Sequence, residues 1–238
     1  MEKSELKPLI IIPTFNEKAN IETLIETISG FNLGLSVLVV DDNSPDGTGI
    51  IADRLSKKYN WVFVLHRPGK QGLGTAYIEG FHYAIKKSFD LIFTMDADFS
   101  HDPKYINDFL NNISDCDFVL GSRYMKGISV VNWPLRRVIL SIFANNYVKY
   151  ITGMPFADCT SGFSCFRRGR LEEIDIDKIA SQGYSFLVEL KYLFFKKRFK
   201  MKEIPIIFVE RRKGDTKMSL KVMCEAAITP WRLRFFVH

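Results

Sequence analysis

The chain has 238 residues, 47% hydrophobic and 25% charged, enough apolar material for a buried core, which excludes a disordered, collagen-like or disulfide-stapled chain. With 33 Lys and Arg against 27 Asp and Glu it carries +6 at pH 7, so an anionic partner is expected, with nucleic acid, nucleotide and membrane phosphate all open. The longest stretch without a charge, Thr27 to Val40, is 14 residues, short of the roughly 18 apolar positions a spanning helix needs.

At the N-terminus, Met1-Glu2-Lys3-Ser4-Glu5 mixes charges and has no small-residue cleavage site, so neither a signal nor a transit peptide is expected, and the cytoplasm is the expected location. Five short apolar runs then follow: Leu9–Ile12, Val37–Val40, Val62–Leu65, Leu91–Met95 and Phe118–Leu120. Between them lie helical patterns, marked by Ile21, Leu24, Ile25 and Ile28, by Ile50, Ile51, Arg54 and Leu55, and by Ala76 to Ile85. Pro103 after Asp102 suits the start of a fourth helix. Strands apolar on both faces, alternating with helices, predict an α/β fold: a mostly parallel, Rossmann-like sheet flanked by helices. Cys116, Cys159, Cys165 and Cys224 fit no zinc spacing and are expected as free thiols.

Ligands of such sheets bind at the carboxyl ends of the strands. Here those ends read Pro13-Thr14-Phe15-Asn16-Glu17, Asp41-Asp42-Asn43-Ser44-Pro45-Asp46-Gly47, Asp96-Ala97-Asp98 and Gly121-Ser122-Arg123-Tyr124. Asp96 and Asp98, two apart, direct both carboxylates to one side, an arrangement that lets Mg²⁺ share them with substrate phosphates. Asp41 is placed to accept hydrogen bonds from a nucleobase or ribose, and Asp46 or Ser44 to cap the following helix. Gly47-Thr48-Gly49-Ile50-Ile51-Ala52 fits a dinucleotide fingerprint but begins too far past its strand, and the next strand ends in His66-Arg67 without an acid. Lys70-Gln71-Gly72-Leu73-Gly74 is the better phosphate-facing loop, although a tight turn explains it nearly as well.

After residue 121 the alternation weakens and the charge reverses. Residues 1–120 hold 11 basic and 17 acidic side chains, a net −6, and residues 121–238 hold 22 and 10, a net +12. No linker separates the two, so one domain with a functional extension is expected. Leu135, Val138, Ile139, Ile142 and Phe143 form an apolar stripe flanked by Arg136, Arg137 and Lys149, a pattern that fits a helix in a membrane interface and, on periodicity alone, better fits one packed on the core. Arg137 and Ser141 share a helical face.

The strand-end motifs, with Gly72-Leu73-Gly74-Thr75-Ala76-Tyr77 and Met95-Asp96-Ala97-Asp98-Phe99-Ser100-His101, resemble in order and spacing glycosyltransferase family 2, and within it the dolichol (polyprenol) phosphate mannose synthases. The resemblance continues through 133–145, 158–166 and 208–217. It implies a GT-A type fold and inverting transfer of mannose from GDP-mannose to a polyprenyl (dolichyl) phosphate, with Mg²⁺ or Mn²⁺ as cofactor. Residues 1–125 would then form the nucleotide-sugar half and 126–238 the acceptor and membrane-interface half. Carried over by motif, Pro13, Phe15, Glu17, Val39 and Asp41 line the guanosine pocket, and Asp96, Ala97 and Asp98 the diphosphate site. Asp96, Asp98 and Ser100 would hold the metal. Arg123, Arg137 and Ser141 would grip the acceptor phosphate, and Arg211 and Lys217 would close over the donor diphosphate. Asp96, Asp98 and Arg123 are the residues expected to carry catalysis. Phe15 stands where relatives have Tyr, and Asn43 where many have Gly. The tail Pro230-Trp231-Arg232-Leu233-Arg234-Phe235-Phe236 fits an interfacial anchor, so peripheral association with the cytoplasmic face of a membrane is expected, with or without an anchoring partner subunit. A UDP-sugar donor, a non-catalytic sugar-nucleotide-binding regulator and a nucleic-acid binder are the rivals. The last lacks any recognised module, and the acidic rim would repel a polyanion.

Overall fold

A computed structural model describes residues 6–209 and 220–236. The order along the chain is β1 (Pro8–Thr14), α1 (Ile21–Ser29), β2 (Ser36–Asp41), α2 (Thr48–Lys58), β3 (Val62–His66), α3 (Leu73–Lys86), β4 (Leu91–Thr94), α4 (Ile106–Asn112) and β5 (Phe118–Ser122). Then follow β6 (Val130–Val131), α5 (Leu135–Thr152), β7 (Ser164–Arg167), α6 (Arg168–Glu172), α7 (Gly183–Lys196), β8 (Met201–Pro205), β9 (Phe208–Val209) and α8 (Leu220–Phe236). Seven strands make one sheet in the order β3-β2-β1-β4-β7-β5-β8, parallel except for β7, which runs antiparallel between β4 and β5. All five expected strands are present. β7 and β8, which the expected set lacks, complete the same sheet from beyond residue 125.

The two-residue side-chain period sorts each strand between two cores. Leu9, Ile11, Leu38, Val40, Ile92, Phe118 and Leu120 join the layer under α3, α6 and α7, while Ile10, Ile12, Val37, Val39, Phe93 and Val119 join that under α1, α2 and α4. Ile21, Leu24, Ile25 and Ile28 of α1 are buried as their spacing requires. In α2 the expected stripe is displaced: Ile50 and Arg54 face solvent, and Thr48, Gly49, Ala52 and Leu55 turn inward. Gly49 and Ala52 let this helix lie close over the end of β2, so its small residues, not its isoleucines, mark the buried face. The turn at Pro103 is a short 3₁₀ segment leading into α4, with the Asp102 carboxylate accepting from the Lys104 amide at 3.0 Å.

β6 and β9 pair in parallel beside the end of β5, through Val130 with Phe208 and Val131 with Val209. That short ribbon brings the stretch after β8 back to the strand ends. Among the described residues no helix is long and apolar enough to cross a membrane. The four cysteines are free, Cys116, Cys159 and Cys165 buried and Cys224 exposed.

Candidate active site

The ends of β1 and β2 are stitched into one rigid rim. Thr14 Oγ1 donates to Asp41 Oδ1 at 2.9 Å, and Ser44 gives Asp41 both its amide (3.1 Å) and its hydroxyl (2.6 Å). The Asn16 amide donates to Ser44 Oγ (3.1 Å), the Glu17 amide to Thr48 Oγ1 (2.9 Å) and the Lys18 amide to Asp46 Oδ2 (3.0 Å). Asp46 also takes the amide and hydroxyl of Thr48 at the first turn of α2, the capping role expected of it, whereas Ser44 is a bridge and not a cap. Asn43 sits at φ +54°, a left-handed conformation that Asn tolerates and that accounts for a glycine serving equally well there.

Arg67, at the end of β3, is the hub beneath this rim. Its wholly buried guanidinium binds Asp42, Glu79 (2.9 Å), Gln71 (3.0 Å) and Thr75 (2.6 Å), joining β2 to the start of α3. The loop 70–74 therefore turns its Gln71 side chain and Gly72 carbonyl toward Arg67, and Gly72 itself sits at φ +102°, beyond the reach of most side chains. Lys70 lays its ammonium 4.2 Å from the centre of the half-buried Phe15 ring, so the loop borders the end of β1.

Past β4, Asp96 is partly exposed while Ala97, Asp98 and Ser100 are buried. The Ser100 amide donates to Asp98 Oδ1 at 3.1 Å, with Phe99 between them at φ +62°. Behind the pair stands His101. Its Nδ1 accepts the Asp96 amide proton (2.9 Å), so a neutral ring carries its own proton on Nε2, which faces Asp96 Oδ2 at 3.8 Å. Burial pushes the His101 pKa down, against the pull of Asp96 and Asp98, and keeps the ring neutral at pH 7. Among the described residues no three His, Cys, Asp or Glu side chains cluster as metal ligands. The donor set nevertheless fits a hard divalent cation: two carboxylates two residues apart, and a buried Ser100 hydroxyl with no hydrogen-bond partner. Mg²⁺ or Mn²⁺ held this way would take its remaining oxygens from water and a substrate diphosphate.

Arg123, after β5, is buried and bound by Asp158, with Nε at 2.6 Å from Oδ2, Nη2 at 2.7 Å from Oδ1, and its own amide at 3.0 Å from Oδ2. Burial works against the Asp158 charge, but the Arg123 guanidinium outweighs it and holds the carboxyl below its usual range. Nη2 also reaches Thr160 Oγ1 (2.7 Å), and the Thr160 amide donates to Asn145 Oδ1 on α5 (3.0 Å). Tyr124, Trp133 and Phe208 surround the guanidinium at 5.4–5.5 Å. Arg137 lies 4.1 Å from the Trp133 ring, and Tyr124 Oη donates to Ser141 Oγ at 2.7 Å. Arg123, Arg137 and Ser141 thus share one neighbourhood. Phe208 also meets the His101 ring at 5.9 Å, so the cationic cluster abuts the Asp96–Asp98 turn. Arg211 and Lys217 lie outside the described residues.

Residues 9–175 match the family described as Glycosyl transferase family 2. The chain belongs to that family. It is 38% identical over 232 residues, 96% of its own length and 88% of the other, to a polyprenol monophosphomannose synthase of Mycolicibacterium smegmatis. It is 38% identical over 230 residues, covering 96% of this chain and 95% of the relative, to an undecaprenyl-phosphate mannosyltransferase of Micrococcus luteus. Its fold is that of glucosyl-3-phosphoglycerate synthase from Mycobacterium tuberculosis, solved with Mn²⁺ and UDP, with a TM-score of 0.70 at 17% identity over 98% of this chain and 81% of that one. The mannosyltransferase PcManGT of Pyrobaculum calidifontis, solved with GDP-Man and Mn²⁺, matches with a TM-score of 0.58 at 17% identity over 95% of this chain and 72% of that one.

Several residues that organise the site of this glycosyltransferase have no signal in sequence spacing. Asp158 lies 35 residues from Arg123, and Arg67 lies 25 from Asp42. Glu203 on β8 accepts the amides of Ala157 and Asp158 at 2.9–3.1 Å and fixes the turn that presents Asp158. Lys191 on α7, wholly buried, donates to the Ser161 carbonyl of the same turn at 2.7 Å. Burial pushes the Lys191 pKa down to about 8. The only hint was that residues 158–166 belong to the stretch that resembles the family.

Proposed function

We propose that this glycosyltransferase moves mannose from GDP-mannose to the phosphate of a polyprenyl (dolichyl) phosphate, with inversion. The observation that carries the reading is the abutment of two opposite fields: Phe208 touches both His101, behind the Asp96–Asp98 pair, and Arg123, at the head of the Arg123, Arg137 and Ser141 group. Two anionic substrates must meet for this reaction, and acids with a metal on one side and cations on the other allow it. The two relatives at 38% identity carry names of the same chemistry.

In this reading a phosphate oxygen attacks the anomeric carbon while the bond to the GDP oxygen breaks on the opposite face. The monoester, with a second pKa of about 6, is already anionic at pH 7, so no general base is required. Arg123, Arg137 and Ser141 orient the nucleophile, Arg123 being itself oriented by Asp158. Pro13, Phe15, Glu17, Val39 and Asp41 hold the nucleoside. Asp96, Ala97 and Asp98 hold the diphosphate, with Arg211 and Lys217 closing over it. Asp96, Asp98 and Ser100 would hold a divalent cation, which would supply positive charge to the leaving diphosphate. Residues 1–125 act as the donor half and 126–238 as the acceptor half of one domain.

α5 exposes Leu135, Ile139 and Phe143, and α8 exposes Ile228, Trp231, Phe235 and Phe236. Trp231 Nε1 donates to Tyr147 Oη (2.9 Å), which donates to the Ala227 carbonyl (2.7 Å), so the two helices present these side chains together. With Arg136, Lys149 and Arg234 exposed nearby, this face suits a peripheral seat on an anionic bilayer.

The test is purified protein with radiolabelled GDP-mannose, Mg²⁺ or Mn²⁺ and a short-chain polyprenyl phosphate, followed by extraction of labelled lipid. Label is expected in the organic phase from GDP-mannose and not from UDP-glucose. Transfer from UDP-glucose alone overturns the donor, and no transfer from either overturns the reaction. Asp98→Ala is expected to lower kcat on the order of 10²–10³-fold, as for loss of a group that stabilises developing charge. Unchanged turnover would displace the metal site.

A further inference from the structure

We propose that Trp133 is an additional hydrogen-bond donor of the acceptor site, its indole Nε1–H binding an oxygen of the phosphate held by Arg123 and Arg137. This rests on the reading of that site given above. Trp133 is half-buried, just before Pro134, whose extended ψ of 142° turns the chain into α5. Its Nε1 is shut away from solvent and has no hydrogen-bond partner. A buried donor without an acceptor is costly, and most proteins avoid it.

The surroundings define what is missing. The indole lies 4.1 Å from the Arg137 guanidinium carbon and 5.5 Å from that of Arg123, and meets Phe208 edge-on at 5.4 Å with an interplanar angle of 74°. Guanidinium groups only donate, so neither arginine can accept the indole proton. The indole donor therefore lacks an acceptor in the chain, beside two cationic groups. A phosphate oxyanion is an acceptor for the indole proton that the neighbouring positive charges favour, which a neutral sugar hydroxyl is not. Trp133 then discriminates for a phosphate-bearing acceptor as well as forming the wall against which both arginines pack.

The chain has three tryptophans, Trp61, Trp133 and Trp231, so ¹⁵N-labelled protein gives three indole N–H signals, assigned with W133F or, by elimination, with W61F and W231F. Titration with farnesyl phosphate is expected to move the Trp133 signal downfield and saturably, and farnesol to leave it in place. W133F is expected to raise the KM for farnesyl phosphate roughly tenfold, the equivalent of one charge-assisted hydrogen bond, with the KM for GDP-mannose unchanged. A Trp133 signal indifferent to farnesyl phosphate, or one moved equally by farnesol, overturns the proposal. The titration needs no turnover. Failure of the labelling assay therefore refutes the proposed reaction, whereas a silent indole in an enzyme that mannosylates farnesyl phosphate refutes only the role of Trp133.

Discussion

Asp158→Asn tests the buried pair around which the proposed acceptor side is built. Asp158 is fully buried and accepts the Arg123 amide at 3.0 Å, Nε at 2.6 Å and Nη2 at 2.7 Å. Asparagine keeps the shape, but it removes the charge and presses an NH₂ group against one of those donors. The Arg123 side chain, only 8% exposed, would keep a cation with no carboxylate beside it. Breaking a buried pair from one side costs about 3–5 kcal/mol. For a domain of this size each kcal/mol lowers Tm by about 2–4 °C, so a fall of about 6–20 °C is expected. Urea unfolding at pH 7 should give a lower midpoint with an unchanged slope. The pH dependence adds a second check. The folded pKa of Asp158 lies below its unfolded value near 3.8, so the pair contributes in full above that pH and is lost as pH falls through the folded pKa. The gap between wild type and Asp158→Asn should therefore narrow below about pH 4. Adding Arg123→Gln to Asp158→Asn should recover part of the loss, because it removes the stranded cation. A cost under about 1 kcal/mol at pH 7, or a gap independent of pH, would refute the buried pair.

Lys191 titrates with the same sign in a higher pH window. Its folded pKa of about 8 lies below the ordinary 10.5, so between those values the unfolded chain binds more protons and stability rises with pH. Relative to Lys191→Met, wild type should gain about 3 kcal/mol from pH 7 to 10.5, read by urea titration at each pH; a constant difference would place the ammonium in solvent. Arg67→Lys replaces a fork with a point charge and cannot reach Asp42, Glu79, Gln71 and Thr75 together. It should cost about 2–4 kcal/mol and raise the donor KM, and a donor KM equal to wild type would uncouple the hub from the proposed donor pocket. Gly49→Ala would put a methyl 2.8 Å from Asp41 Oδ2 and 3.2 Å from His66. Overpacking of about 1–3 kcal/mol should displace Asp41 and raise the KM for GDP-mannose several-fold, leaving the acceptor KM unchanged. Equal effects on both substrates would argue against Asp41 belonging to the donor side.

The legible and illegible parts of the chain differ in what buries them. β1, β2, β4 and β5 are apolar on both faces, so their sequences alone report a covered sheet. β7 and β8, with Arg167, Lys202 and Glu203 among them, lack that continuous apolar run, and gain their places by pairing, β7 between β4 and β5 and β8 beside β5. The strand-end acids were legible because topology directs ligands to strand ends, and the family motifs named the cations facing them. What holds those groups in position was not legible. Arg67, Asp158 and Lys191 have the composition of solvated charges, yet each is buried, and the partner that makes burial tolerable arrives from 25 to 35 residues away. A motif records the groups that meet substrate, whereas the groups that orient them are recorded only in contacts. The reversal from −6 to +12 along the chain acquires a physical meaning at the same level. β9 pairs with β6 beyond the end of β5, and its Phe208 lies against both His101 and Arg123. On the proposed reading, the two fields meet there to serve one reaction.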